Sequence, residues 1–334
     1  DSAGAAAFAD AVNQHLAVST NRQVNVYIHG FRTNFTWEVE MMSKLFHCSG
    51  RSGAMVCFAW PARQNLLLYG SDVRRGRASA HHLADLIEQL AKHTQAERIN
   101  VLSYSAGAAV ASEALAQLRD RYPDDDPKML SQRLRIGSVI YAASDIDLNT
   151  FARTQLAKVQ DLSQNVVIYI ARNDSALGFA NLFAGASRLG RPNLAELQIT
   201  REELEDAAKD TRLQVIDVSD VPGLRSAGGG MRGHGYWYGS DWVMTDLLAN
   251  FRWQVPAADR GLYRNAGEAH WRFPKNYPPK VTDAVVRLGV PQQAGGNQCA
   301  ALDPAFARDE RIPEGASMST GRTPGRAVAE TGDR

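Results

Sequence analysis

The chain has 334 residues, of which 44 % are hydrophobic, enough to bury the core of one large domain or two small ones. Its formal net charge of +1 gives no electrostatic reason to expect nucleic acid as a partner. No apolar run reaches the ~18 residues of a membrane span, so no part of the chain is expected to cross a bilayer.

The opening stretch DSAGAAAFADAV has neither a basic start nor a continuous apolar run, and as it stands it does not read as a signal peptide. It leaves room for one helix, over about residues 5–17. From residue 24 to about 253, short apolar runs alternate with helical patterns. The strand candidates are VNVYIHG (24–30), MVCFAWP (55–61), INVLSYS (99–105), RIGSVIYAAS (135–144), NVVIYIA (165–171) and LQVIDVS (213–219). Most are apolar on both faces, as expected of parallel strands covered by helices. Helical spacing marks 36–47 (Trp37, Met41, Leu45, Phe46), 79–93 (Leu83, Leu86, Ile87, Leu90) and the alanine-rich 106–120. Thr200 and Glu203 read as a capping box opening another helix. This alternation predicts an α/β fold with a mostly parallel, doubly wound sheet of about six or more strands and helices on both faces. The domain is expected to occupy 1–253. Residues 254–290, rich in Pro, Tyr and Trp, read as an irregular extension packed on it. Residues 291–334 lack periodicity and read as a disordered tail. Cys48, Cys57 and Cys299 are too few and too scattered for a disulfide framework or a zinc site, and Cys57 reads as a buried thiol.

Acyl transfer needs a nucleophile, a base to take its proton, an acid to orient the base, and donors for the oxyanion. The stretch VLSYSAGAAV (101–110) runs from a strand pattern straight into a small-residue helix, with Ser105 at the apex. That is the geometry of a nucleophile elbow. The usual pattern is Gly-x-Ser-x-Gly, and Ser103 stands where the first glycine would be. Serine exceeds alanine by one hydroxyl and is expected to fit, while Gly107, at the position pressed hardest on the strand, is retained. A bare S-x-S-x-G is weak, but between a strand and such a helix it is specific.

Of eight histidines, His15, His47, His81, His82 and His93 fall in or beside helical patterns and read as surface or partly buried side chains. The adjacent His81 and His82 face different sides of their helix and make a poor metal site. His270 lies in the irregular stretch, and His29 ends the first strand. His234, in the glycine-rich loop GGGMRGHGYWY after the last strand, is the candidate base. The acid is expected to close a strand between Ser105 and His234. Asp174 is favoured, with Asp145 and Asp147 as alternatives, and Asp174 and Asp147 could each instead cap the next helix. One oxyanion donor is expected from the N–H of Ala106, at a helix N-terminus, and the second from Phe31, after His29-Gly30. Gly228-Gly229-Gly230 does not lie between a strand and a helix, so no phosphate loop is expected there. Asp145 and Asp147 are not expected to bind a metal.

With these residues assembled, the chain resembles an α/β-hydrolase. More narrowly, it resembles a bacterial hydrolase family catalogued as a domain of unknown function and loosely labelled esterase/lipase-like. The matching stretches are VYIHGFRTNF, FAWPA, SYSAG, AASDID, ARNDSALGFA and GHGYWY, in that order over about residues 24–245. That family usually shows His-Ser-Met-Gly around the nucleophile, where this chain has Tyr104-Ser105-Ala106-Gly107. The resemblance implies Ser105, Asp174 and His234 as the triad and says little about substrate. Its members often carry an export or lipid-anchor segment. An envelope or secreted location would need one ahead of residue 1, and the compartment is left open.

Phe31, Phe35, Trp60, Tyr69, Tyr104, Leu177, Phe179, Tyr236 and Trp237 are expected near the mouth of the site, with core packing as the alternative for Trp60 and Phe179. Leu66–Leu68, within 61–78, form the best small lid, and Arg74, Arg75 and Arg77 read as a solvated basic loop. An aromatic lining suits an apolar acyl or aromatic group. The expected activity is hydrolysis of small carboxylic esters with short to medium acyl chains, without a cofactor. Thioesterase, amidase or peptidase chemistry would use the same residues, and a non-catalytic binding protein on this scaffold is the rival class. Oligomeric state is not legible.

Overall fold

In the computed structural model, which describes residues 2–287 except 64, 66, 67, 178–186, 194–209, 223, 225–232 and 267, seven strands pair into one sheet. They are β1 (Gln23–Ile28), β2 (Ala54–Phe58), β3 (Arg98–Tyr104), β4 (Ile136–Ala142), β5 (Ser163–Ile170), β6 (Leu213–Asp217) and β7 (His270–Arg272). Their order is β2-β1-β3-β4-β5-β6-β7, and every neighbouring pair is parallel. Parallel neighbours need crossovers, so helices cover both faces.

Alternate residues of each strand serve the two faces. Val24, Val26 and Ile28 of β1 join Val101, Val139 and Val166 in one core. It is covered by α1 (Ser2–Ala17), α4 (Ala80–His93), α5 (Gly107–Asp120), α6 (Pro127–Leu134) and α8 (Leu156–Leu162). Between α6 and α8 lie the short α7 (Leu148–Thr150) and a π-helical turn, Phe151–Gln155. Tyr27, Leu102, Ile140, Tyr169 and Ile216 point the other way. There they meet α2 (Phe35–Cys48), α10 (Asp241–Trp253), which follows the short α9 (Tyr236–Gly239), and α11 (Tyr277–Arg287). Local chemistry sets the helix ends. Asn34 Oδ1 accepts the Trp37 N–H at 2.8 Å to open α2. Asp126 and Pro127 open α6, and Gln254 closes α10 in the left-handed conformation.

Strands β1–β6 and helices α1, α2, α4 and α5 lie within a few residues of those expected, whereas α3, α6–α11 and β7 had no individual expectation. A helix, α3 (Tyr69–Ala78), occupies the second half of the stretch read as a lid. Its composition, YGSDVRRGRA, offers little apolar periodicity. Within 254–290, β7 is only three residues long and half-buried, too short for a pattern to register. The double proline of α11 reads as a breaker, yet Pro278 and Pro279 sit in its first turn, where a missing N–H costs nothing. Tyr277, Val281 and Ala284 form its buried stripe. The expected capping box at Thr200, the glycines 228–230, Phe179, Leu66, Leu67 and the tail 291–334 lie outside the described residues.

This C-terminal part is tied in by a buried ion pair. Arg260 contacts Asp246 through Nε at 2.7 Å and Nη2 at 3.1 Å, and its Nη1 donates to Gln214 on β6 at 2.8 Å. Tyr169 on β5 and Tyr277 on α11 donate to the same Asp246 carboxylate at 2.7 and 3.2 Å.

Among the described glycines, the closest approach is that of α5 to β1. A β-carbon at Gly107 would lie 2.2 Å from His29 O and 2.8 Å from Ile28 O, main-chain atoms that cannot swing aside. Ser103 has room and donates from Oγ to Ile140 O at 3.2 Å. Gly107→Ala is therefore expected to destabilise the fold by at least about 2 kcal/mol, and Ser103→Ala by about 1 kcal/mol, measured by urea unfolding.

Candidate active site

Ser105 follows β3 directly and has a positive φ of 51°. That conformation is costly for a residue with a side chain, and three main-chain bonds hold it. The Ser105 N–H donates to Ala142 O at 3.0 Å, and Ser105 O accepts from Asp145 N at 3.2 Å and Ala108 N at 3.1 Å. The loop after β1 passes beside Ser105, since a β-carbon at Gly30 would lie 3.1 Å from its Cβ. Ala106 caps α5, and among the described residues neither its N–H nor that of Phe31 has an acceptor.

His234 precedes α9 and joins Ser105 to Asp174. Its Nδ1 is 2.8 Å from Asp174 Oδ2 and its Nε2 is 2.9 Å from Ser105 Oγ. A carboxylate can only accept, so Nδ1 carries the proton and Nε2 is left to accept from the serine hydroxyl. Asp174 is fully buried at the end of β5, and its second oxygen, Oδ1, accepts the Leu177 N–H at 3.0 Å. The capping role and the contact with His234 thus coexist, one oxygen each.

The two alternative aspartates are engaged elsewhere. Asp147 caps α7 through Oδ1 to Thr150 N at 2.7 Å. Asp145 is buried against Arg188, whose Nε lies 3.2 Å from Oδ1. Burial pushes its carboxyl up to about 6, opposed by Arg188 and His234 and assisted by the Asp174 charge.

The aromatic residues divide. Tyr104 lies against His234, ring centroids 5.2 Å apart, and stacks on Trp37 at 6.2 Å. Phe31 and Tyr69 are half-buried and meet edge to face at 4.9 Å, and Phe35 is 75 % exposed at the start of α2. Trp60, Leu177, Tyr236 and Trp237 are buried rather than lining an open mouth. Trp60 stacks flat on His29 at 5.1 Å and donates from Nε1 to His29 O at 2.7 Å. Tyr236 spends its hydroxyl on structure, accepting from Ala143 N at 2.5 Å and donating to Tyr169 O at 2.8 Å. Trp237 packs between Tyr27 and Tyr104.

Three groups near the site escaped the sequence reading. Arg191 donates to the main-chain oxygen of Asp174 at 2.9 Å, and Arg188 takes up Asp145. Both lie far from their partners in sequence and carry no local signal. Glu38 is different. It shares the buried stripe of α2 with Met41 and Leu45, so an acid on a core-facing position was there to be noticed.

The raised Asp145 carboxyl has a consequence for stability. Between about pH 4 and 6 the native chain holds a proton that the unfolded chain releases, so this group makes stability fall as pH rises through that window. The stability of wild type relative to Asp145→Asn is expected to drop by about 2 kcal/mol between pH 4 and 7, read by urea titration. A flat difference would mean that Asp145 titrates as it does in the unfolded chain.

Among the described residues no group of His, Cys, Asp and Glu is arranged to hold a metal ion, and no helix is long and apolar enough to cross a membrane. No curated protein matches the chain. Among solved structures it is similar to an uncharacterized protein from Bacillus cereus (14 % identity, TM-score 0.36), over 61 % of this chain and 57 % of that one, little more than half its length. It is also similar to the Pyrococcus furiosus esterase Pf2001 (14 % identity, TM-score 0.33), over 60 % of this chain and 74 % of the other. A third is an acetyl ester-xyloside bifunctional hydrolase from Caldicellulosiruptor lactoaceticus (11 % identity, TM-score 0.37), over 72 % and 85 %. Likenesses at this level say nothing of substrate. The family model described as alpha/beta hydrolase of unknown function (DUF900) matches residues 4–250, and the chain belongs to that family.

Proposed function

We propose that the protein is a serine hydrolase of carboxylic esters, working through an acyl-enzyme. The observation that carries this reading is the continuous pair of hydrogen bonds from Asp174 through His234 to Ser105, 2.8 and 2.9 Å long, ending on a serine at a strained strand–helix apex. In the proposed reaction Ser105 Oγ attacks the ester carbonyl as His234 Nε2 takes its proton. Negative charge develops on the former carbonyl oxygen, where the N–H groups of Phe31 and Ala106 receive it. The C–O bond to the alcohol then breaks and His234 returns the proton to the leaving oxygen. Water repeats the sequence on the acyl-serine, releasing the acid and restoring Ser105. Asp174 keeps the imidazole in the required tautomer and stabilises its protonated form. Nucleophile, base and acid all come from the chain, so the reaction as proposed calls on no cofactor.

Tyr104 beside the base, with Phe31, Tyr69 and exposed Phe35 along the β1 loop and its flank, favours a short to medium acyl or an aromatic group over a polar one.

A fluorophosphonate probe and a panel of p-nitrophenyl esters test the reading. Wild type is expected to label, and Ser105→Ala to lose the label entirely. Asp174→Asn is expected to lower kcat by about 10⁴-fold, while Asp145→Asn keeps most of it. A folded wild type that neither labels nor cleaves any ester would sink the proposal in favour of a binding protein. Loss in Asp145→Asn rather than Asp174→Asn would reassign the acid.

A further inference from the structure

The carbonyl of Gly30 is held from two sides. His29 Nδ1 lies 2.7 Å from Gly30 O, and since a carbonyl oxygen only accepts, the ring carries its proton on that nitrogen. Thr33 Oγ1 donates to the same oxygen at 3.0 Å. Among the described residues no peptide bond is cis. In a trans peptide the C=O of one residue and the N–H of the next point in opposite directions. Anchoring Gly30 O to His29 and Thr33 therefore turns the Phe31 N–H away from them, in the loop that crosses Ser105. The loop does not hold this shape by local preference, because the next residue, Arg32, has a φ of 60°.

His29 is itself clamped. Its Nε2 lies 2.9 Å from Glu38 Oε1, with both side chains nearly out of reach of solvent. The same nitrogen meets the main chain of Trp60, N at 3.1 Å and O at 3.2 Å, and the ring lies flat on the Trp60 indole. The other Glu38 oxygen accepts from Cys57 Sγ at 3.4 Å. Burial, reinforced by Glu38, pushes that thiol up to about 12, so it remains a donor at neutral pH. An acid on the core-facing stripe of α2 is costly to bury unless it is fully engaged. Packing alone would be served by an apolar residue like its neighbours Met41 and Leu45.

We infer that Glu38, His29 and Thr33 are positioning residues that aim the Phe31 N–H at the developing oxyanion through the Gly30 carbonyl. The inference rests on the ester-hydrolase reading above and extends it to residues that touch no substrate.

The test compares full-length wild type with Thr33→Val, Thr33→Ser and Glu38→Gln, each normalised to active sites by fluorophosphonate titration. Two quantities are read: kcat and KM on a p-nitrophenyl ester, and Ki for phenylboronic acid, which adds to an activated serine and places an oxygen where the oxyanion forms. Thr33→Val and Glu38→Gln are expected to lower kcat about 10- to 100-fold with little change in KM. The boronate Ki should rise in parallel. Thr33→Ser, which keeps the hydroxyl, should retain wild-type values. Folded Thr33→Val and Glu38→Gln with wild-type kcat and Ki per active site would overturn the inference and leave the hydrolase reading standing. So would a loss confined to melting temperature or to the number of active sites. A wild type that neither labels nor turns over ester would remove the hydrolase reading and this inference together.

Discussion

Helix α5 meets strand β1 with no side chain between them. Gly107 lies so close to the carbonyls of Ile28 and His29 that even a methyl group has no place. Much of the geometry around Ser105 follows from that contact. For the chain to leave β3 and enter a helix pressed on the neighbouring strand, it must reverse within one residue, and Ser105 takes the left-handed conformation that this requires. The reversal brings the chain entering α5 beside the loop that leaves β1: a β-carbon at Gly30 would lie 3.1 Å from Ser105 Cβ.

The sheet presents two aspartates to the same neighbourhood, and cations and main-chain donors separate their roles. Arg188 claims Asp145, whose backbone N–H already supports Ser105 O. Asp174 keeps one oxygen for His234 and gives the other to a main-chain N–H. The segment 187–191 reaches both: its Arg191 holds the carbonyl of Asp174, and its Leu189 and Gly190 donate to Ile146 and Ser144. Asp147 is spent on a helix cap. A sequence that supplies three candidate acids within thirty residues thus leaves one facing the histidine.

What was legible in the sequence is what has a local cause. Strands buried on both faces announce themselves as unbroken apolar runs, and β1, β3, β4 and β5 were all visible in this way. The elbow is a local device as well, since small residues at 106–109 betray the close approach of helix and strand. The order of Ser105, Asp174 and His234 along successive strand ends carried the rest, because a parallel sheet delivers consecutive carboxyl ends to one edge. What failed depends on direction. Trp60, Tyr236 and Trp237 have the aromatic character of a binding wall, yet a single residue of rotation along the chain decides whether a ring faces solvent or core, and here they face inward. The Tyr236 hydroxyl accepts the Ala143 N–H instead of facing a mouth. Strand β7 was missed for want of length. Glu38 was missed because a single acid among apolar neighbours is easily taken for the edge of an amphipathic stripe.

All seven strands point the same way, so the groups discussed here leave from one rim: His29 after β1, Ser105 after β3, Asp145 after β4, Asp174 after β5 and His234 near α9, beyond β6. The opposite rim, where helices turn back into strands, carries none of them. It includes the exposed turn between α5 and α6 around Asp124. A surface anchor, fusion partner or solid support attached at that opposite rim would leave these groups facing outward, and an evolving chain could rework one rim without renegotiating the other.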